Sequence, residues 1–235
     1  RAIRSSAVKY VSARDNVDEV QACAGPGHRV KLLADSAFWM KEAYDIDTTV
    51  ERTKIGIGLI RGNSLQGYGV PFGSKEWTAL FADIATELRD RGYDFEFFTN
   101  GLPGDVTLGK RVLKKLGLDD SYLVERPVDD RVLVDTINGY QAIITCRMHS
   151  SIAAFTMNVP SVILSWNDKV EKLMEIIGYP ERAVRQKDFD AKYIVDLMEK
   201  AKAEGIAPEK LSAMKDKAKE SVSDYLPLIL AAARH

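Results

Sequence analysis

The 235-residue chain is long enough for one large or two modest domains, and its 46% hydrophobic and 29% charged content is that of a globular protein. A net charge of −1 excludes a global basic field that would recruit nucleic acid or an anionic membrane, so any anion must be held by local charges. No apolar run reaches the roughly 20 residues needed to span a bilayer as a helix.

Taken in order, residues 8–14 alternate like a short strand. Asp15 or Asn16 is placed to cap a helix running to Ala24, and Gly25-Pro26-Gly27 makes a turn. Residues 29–33 read as a second strand, closed by Asp35. Two strands and a helix make a poor core alone. Residues 1–50 are therefore expected to be the C-terminal part of a larger N-terminal α/β domain, with the polar stretch 45–52 as its linker.

A second α/β series follows over 51–205. Residues 55–60 read as a buried strand whose Gly56 and Gly58 share one face, where a helix or ligand could approach closely. Arg61 ends that strand, and a glycine-rich loop over 62–73 follows. The loop has the wrong glycine spacing for either common phosphate-binding fingerprint, although Gln66 or Tyr68 could reach a ligand. Ser74 is placed to cap a helix with Trp77, Phe81, Ile84 and Leu88 on one face, ending at Gly92. A strand over 93–98, a helix opened by Asp105 and stopped by Gly117, a short strand over 121–125 and a helix over 130–137 come next. Residues 142–146 form an apolar strand that stops at Arg147, Met148 and His149, after which helical character resumes. A strand over 161–165 leads to a helix capped by Asn167 or Asp168, and residues 190–203 are helical. The segment 206–235 reads as a C-terminal helix starting at Pro208, with Leu211, Met214, Ala218, Val222 and Tyr225 as its stripe and a break near Pro227. Alternating strands and helices imply a mostly parallel sheet covered on both faces.

The candidate chemistry lies at strand ends. Arg147 supplies a planar fork matched to phosphate or carboxylate, and His149 can hold a phosphate oxygen or move a proton near neutral pH. Both stand at a helix start, where unpaired N–H groups favour an anion. Arg61 and Lys169 offer further cations at the same edge of the sheet. The bland reading of each is a solvated charge or a helix cap. No His/Cys pair has metal-ligand spacing, and Ser150 and Ser151 lack a nucleophile elbow, so neither a metal nor a cofactor is expected. Cys23 and Cys146 both sit in segments that read as buried. They suggest no disulfide framework, which suits a reducing cytoplasm.

The strings Ile144-Thr-Cys-Arg-Met-His-Ser-Ser-Ile-Ala-Ala-Phe155 and Asn158-Val-Pro-Ser-Val-Ile-Leu-Ser-Trp-Asn-Asp-Lys-Val170, followed by Ile177-Gly178, resemble the polysaccharide pyruvyl transferase family. Val11-Ser-Ala-Arg-Asp15 and Ala34-Asp-Ser-Ala-Phe38 resemble that family's upstream segments in order and spacing. Met148 replaces the usual Leu, a volume-conserving change. The family's opening Gly-Asp segment has no counterpart here. The resemblance implies a glycosyltransferase-B-like fold of two Rossmann-like domains. It implies transfer of a pyruvyl group from phosphoenolpyruvate to sugar hydroxyls of a cell-surface polysaccharide or its lipid-linked precursor, forming a ketal. It assigns Arg147 and His149 catalytic roles at a phosphoenolpyruvate site that also includes Arg61, Met148 and Lys169. A cytoplasmic enzyme follows, with peripheral membrane association where the acceptor is lipid-linked. Replacing Arg147 or His149 is expected to abolish turnover with little change in melting temperature. Two alternatives stand beside this reading. One is a nucleotide-sugar glycosyltransferase or epimerase of the same fold, with Glu171 or Glu175 on the ribose. The other is a non-catalytic binding module.

Overall fold

A computed structural model describes residues 2–8, 10–63, 66–68 and 72–232, with backbone alone at positions 68, 224, 225, 228 and 232. The chain divides into two compact units, one of Arg1–Trp39 with Glu209–His235 and one of Met40–Pro208.

In the smaller unit, β1 (Val11–Ala13), α1 (Val17–Ala24) and β2 (Val30–Leu32) form one crossover, with Val11 paired in parallel to Val30. Val11, Ala24 and Val30 are its buried apolar residues. The Gln21 amide organises the turn: it accepts the Val30 N–H at 2.9 Å and donates to the carbonyls of Gly25 and His28. The expected side-chain cap of α1 is not made. Asn16 takes a left-handed conformation (φ 50°) at that position without capping through its amide. Cys23, expected to be buried, is exposed. Arg14, after β1, pairs with Asp35, after β2, so the two upstream motif segments meet at the strand ends.

The larger unit begins with α2 (Met40–Ala43) and carries a five-stranded sheet. Its elements are β3 (Lys54–Gly58), α3 (Ser74–Asp90), β4 (Phe95–Phe98), α4 (Pro103–Leu116), α5 (Asp130–Asn138), β5 (Tyr140–Thr145), α6 (Met148–Thr156), β6 (Ser161–Ser165), α7 (Asp168–Ile176), β7 (Ala183–Arg185) and α8 (Ala191–Glu204). All its strands are parallel, in the order β4-β3-β5-β6-β7. The central strands β3, β5 and β6 are almost wholly buried because helices cover both faces. The predicted stripe of α3 packs on one face, with Trp77, Phe81, Ile84 and Leu88 all at 0% exposure. Val134, Ile137, Ala153 and Ala154 of α5 and α6 form a core on the other. This is the expected Rossmann-like parallel sheet.

Several local expectations are corrected. The polar stretch 45–52 is anchored at two points: Ile46 is buried, and the Arg52 guanidinium donates to carbonyls of Asn138, Met157 and Asn158 and to the Asn138 amide oxygen. Residues 121–125 are not a strand. Asp119 accepts the Ser121 N–H to form a tight turn, and pairing is limited to one bridge between Phe97 and Leu123. Helix α3 is capped by Glu76, which reaches back to the Gly73 N–H at 2.8 Å, with Ser74 already inside the helix. Gly56 and Gly58 make room for neighbouring strands rather than a ligand or helix. A Cβ on Gly56 would lie 2.4 Å from the Tyr140 ring, and one on Gly58 2.4 Å from Thr145 Oγ1. The short edge strand β7, not expected from sequence, follows Arg182, a 2%-exposed cation stacked on Tyr179 and bonded to the Gly205 carbonyl.

The chain closes with α9 (Pro208–Ala232), which runs through Pro227 instead of breaking there. Met214 and Ala218 are buried, whereas Val222 is exposed and the Tyr225 side chain lies outside the described residues. No helix among the described residues is long and apolar enough to cross a membrane.

Candidate functional site

Strand order reverses between β3 and β5, which lie side by side although β4 separates them in sequence. In open α/β sheets such a switch point, at the carboxyl ends of the strands, is where ligands bind. Arg61 follows β3 there and Arg147 follows β5. The carboxyl edge also carries an open pocket of about 380 Å³, lined by Asn100 and Leu102 after β4, Arg147, Met148 and His149 after β5, and Trp166, Asn167, Lys169 and Val170 after β6.

Three helix starts converge on this pocket, since Leu102, Arg147 and Asn167 are the N-cap residues of α4, α6 and α7. The first-turn N–H groups of a helix have no intrahelical acceptor, and the dipole end is positive. Arg147 caps α6 without a side-chain bond to it, and His149 occupies the second helical position, exposed. Asn167 caps α7 by accepting the Val170 N–H at 3.2 Å, which settles the Asn167-or-Asp168 alternative and leaves Lys169 in the first turn facing the pocket. Among the described residues, no Asp or Glu lines the pocket.

Arg147 is held at both ends. Its main-chain N–H donates to Thr145 Oγ1 at 3.1 Å, and its Nη2 donates to both carboxylate oxygens of Asp105, at 2.7 and 2.5 Å. Its Nε is buried without a hydrogen-bond partner. Asp105 sits in the first turn of α4 with no exposure at all. Burial pushes its carboxyl up from the usual range. The Arg147 charge, the Arg147 hydrogen bonds, and the main-chain N–H and charge of Arg61 oppose that rise only in part, and the carboxyl stays raised. From sequence Asp105 reads as a helix opener, since an acid in the first turn complements the helix dipole. Only the fold shows that it faces inward.

The structure therefore brings Arg147, Met148, His149 and Lys169 to one pocket. Arg61 does not line it. Arg61 meets Asp105 through its main-chain N–H, and its Cβ is 3.2 Å from where a Cβ on Gly104 would lie. Trp166, unassigned from sequence, forms a wall and is fixed by its Nε1–H bond to the Cys146 carbonyl at 2.8 Å. Asn100 accepts from Ser150 Oγ at 2.9 Å and also lines the pocket. Beneath them the Cys146 thiol is fully buried, and that burial pushes its pKa well up. The glycine-rich loop is described only in part: residues 64–65, 69–71 and the Tyr68 side chain lie outside the described residues. Among the described residues, no group of three or more His, Cys, Asp or Glu is arranged to hold a metal ion.

One protein family, described as polysaccharide pyruvyl transferase, matches residues 1–168 by its sequence model. The chain belongs to the polysaccharide pyruvyl transferase family. The match includes both upstream motif segments, Arg61, Asp105 and the Arg147–His149 turn, and ends at the start of α7. No curated protein matches the sequence significantly. Membership indicates a transferase of polysaccharide pyruvylation, which carries a saccharide acceptor with it.

Proposed function

We propose that this family member transfers the pyruvyl group of phosphoenolpyruvate to sugar hydroxyls of a cell-surface polysaccharide or its lipid-linked precursor, closing a pyruvate ketal. The observation that carries this reading is the acid-free pocket where Arg147, His149 and Lys169 meet three helix starts. Phosphoenolpyruvate bears a phosphate and a carboxylate and accepts hydrogen bonds at both ends. A pocket of cations and N–H donors suits it.

The chemistry divides into three events. A proton adds to the methylene carbon of the donor. A sugar hydroxyl attacks the carbon bearing the ester oxygen. Phosphate then departs with that oxygen as a second hydroxyl closes the ring, and the two hydroxyl protons are released. Arg147 and Lys169 bind the anionic groups and stabilise charge on the departing phosphate. Arg61 contributes from the neighbouring strand end. His149 holds the phosphate or carries a proton, both within reach of an exposed imidazole at a helix start. Met148 supplies apolar contact between them. The reaction is placed in the cytoplasm, with peripheral membrane association where the acceptor is lipid-linked.

Two measurements test this. Inorganic phosphate release from phosphoenolpyruvate is followed over galactose, mannose and glucose acceptors. Melting is followed separately with phosphoenolpyruvate and with UDP. A ligand at about 100 times its dissociation constant stabilises by roughly 2.7 kcal/mol. A shift with UDP alone refutes the proposal in favour of a nucleotide-sugar enzyme. The carboxylate that such an enzyme would direct to a ribose is engaged here: Glu171 accepts from Ser165 Oγ at 3.0 Å and from Arg185 Nε at 2.9 Å, and neither it nor Glu175 lines the pocket.

A further inference from the structure

Asp105 is a charged group with no exposure, one layer below a pocket that holds no acid. A carboxylate serving only the dipole of α4 would do so equally well in water. Burial instead demands partners, and a buried charge is tolerated only when it is paired and hydrogen-bonded. The partners of Asp105 come from two different strand ends. Arg147 Nη2, after β5, reaches both carboxylate oxygens, and the main-chain N–H of Arg61, after β3, donates to the same group. Gly104, beside it, lets the Arg61 stem approach as closely as a missing Cβ permits. One carboxylate thus ties together the two lips of the switch point.

We propose that Asp105 is the positioning residue of the donor site: it fixes the Arg147 guanidinium, which lines the pocket, against the main chain at Arg61, so that Arg147 keeps the orientation required by an anionic ligand. This rests on the reading of the pocket as the phosphoenolpyruvate site. Asp105 touches no substrate. It acts by removing the rotamer freedom of Arg147 before the ligand arrives, which is preorganisation. The main-chain bond from Arg147 to Thr145 fixes the root of the same side chain, and the Asp105 bonds fix its tip.

The test is Asp105→Asn, which keeps the shape but offers one acceptor oxygen in place of two and turns an NH2 donor toward other donors. Two readouts are taken. Steady-state kinetics separate KM for phosphoenolpyruvate from kcat. In protein labelled with 15N-arginine, the Nε–H resonance of Arg147, identified by its loss in Arg147→Lys, reports the guanidinium directly. The variant is expected to raise KM roughly tenfold, the effect of losing one charge-assisted hydrogen bond, and to shift or broaden the Arg147 resonance. A purely structural role would lower the active fraction, reducing kcat with KM unchanged, and that outcome with an unmoved resonance overturns the proposal. Gly104→Ala serves if Asp105→Asn does not fold. It keeps every charge and displaces the Arg61 main chain by a few tenths of an ångström, so KM should rise roughly threefold, and a wild-type KM there overturns the proposal. A moved Arg147 resonance in a protein whose wild type neither binds nor turns over phosphoenolpyruvate supports the positioning role and refutes the donor reading instead.

Discussion

Replacing Arg147 by Ala gives the sharpest stability test, because the pair it belongs to is lopsided. The Arg147 side chain is 20% exposed, whereas Asp105 is 0% exposed. Removing the guanidinium leaves a carboxylate sealed under the pocket, opposed only by the weaker pulls of the Arg61 main-chain N–H and the Arg61 charge. Breaking a buried pair by deleting one partner costs about 3–5 kcal/mol. The lower end applies here, since one N–H remains and the vacated space opens toward the pocket. About 3 kcal/mol in a domain of this size corresponds to a melting-temperature loss of roughly 6–12 °C. This replaces the expectation from sequence that the substitution would leave melting nearly unchanged.

The pH dependence fixes the cause. Burial already raises the Asp105 carboxyl, and Arg147 supplies the main opposing pull. Without Arg147 the folded state holds the proton still more tightly than the unfolded chain does. Stability then falls as pH rises from the ordinary carboxylate range through the raised folded value. The Arg147→Ala deficit should therefore be large at pH 7.5 and shrink toward pH 5. Adding Asp105→Asn to Arg147→Ala removes the orphaned charge and should recover most of the loss, although Asp105→Asn alone is destabilising. Tryptophan fluorescence melts report this directly, as Trp77 and Trp166 both pack on the larger core. A loss under 2 °C at pH 7.5, or one that is the same at pH 5, refutes the reasoning.

His149→Ala should lower phosphate release by about 100-fold or more if the ring moves a proton, with melting within 2 °C because the side chain is exposed; full turnover removes its catalytic role. Lys169→Ala should raise KM for phosphoenolpyruvate roughly fivefold, the scale of an exposed charge contact, and initial-rate kinetics over donor concentration check it. Gly58→Ala should cost about 1–3 kcal/mol of overpacking in urea unfolding, since the new Cβ would meet Thr145 Oγ1 at 2.4 Å and the Phe98 ring at 2.8 Å; a cost below about 0.5 kcal/mol would mean that β3 and β5 move apart more easily than the packing suggests.

What could be read in the sequence was whatever a local pattern determines. The stripe of α3 is set by its own periodicity, and all four named residues are buried. The Arg147–His149 turn is set by an apolar strand ending at a cation, and it falls at the carboxyl edge of β5 as expected. What could not be read depended on partners distant in the chain. Cys23 lies between two alanines in α1, but that helix buries Ala24 and leaves Cys23 on its exposed side. Arg52 looks like linker polarity until Asn138, Met157 and Asn158 arrive as its acceptors. Gly56 and Gly58 announce close approach without saying by what, and the answer is the side chains of β4 and β5.

Asp105 shows why the site was only half legible. Its sequence context, Pro103-Gly104-Asp105 at a helix start, is the ordinary signature of a solvated first-turn acid. Its environment is created by strand order. Only when β3 lies between β4 and β5 do Arg61, after β3, and Arg147, after β5, both reach Asp105 in the helix that follows β4. A strand order that separated β3 from β5 would leave the same three residues far apart, with Asp105 free to face water and Arg147 without its anchor. The sheet topology thus does more than expose a crevice at the switch point. It supplies the buried countercharge that holds one wall of that crevice in place, and the cations readable from sequence acquire a fixed geometry through a residue whose role was not.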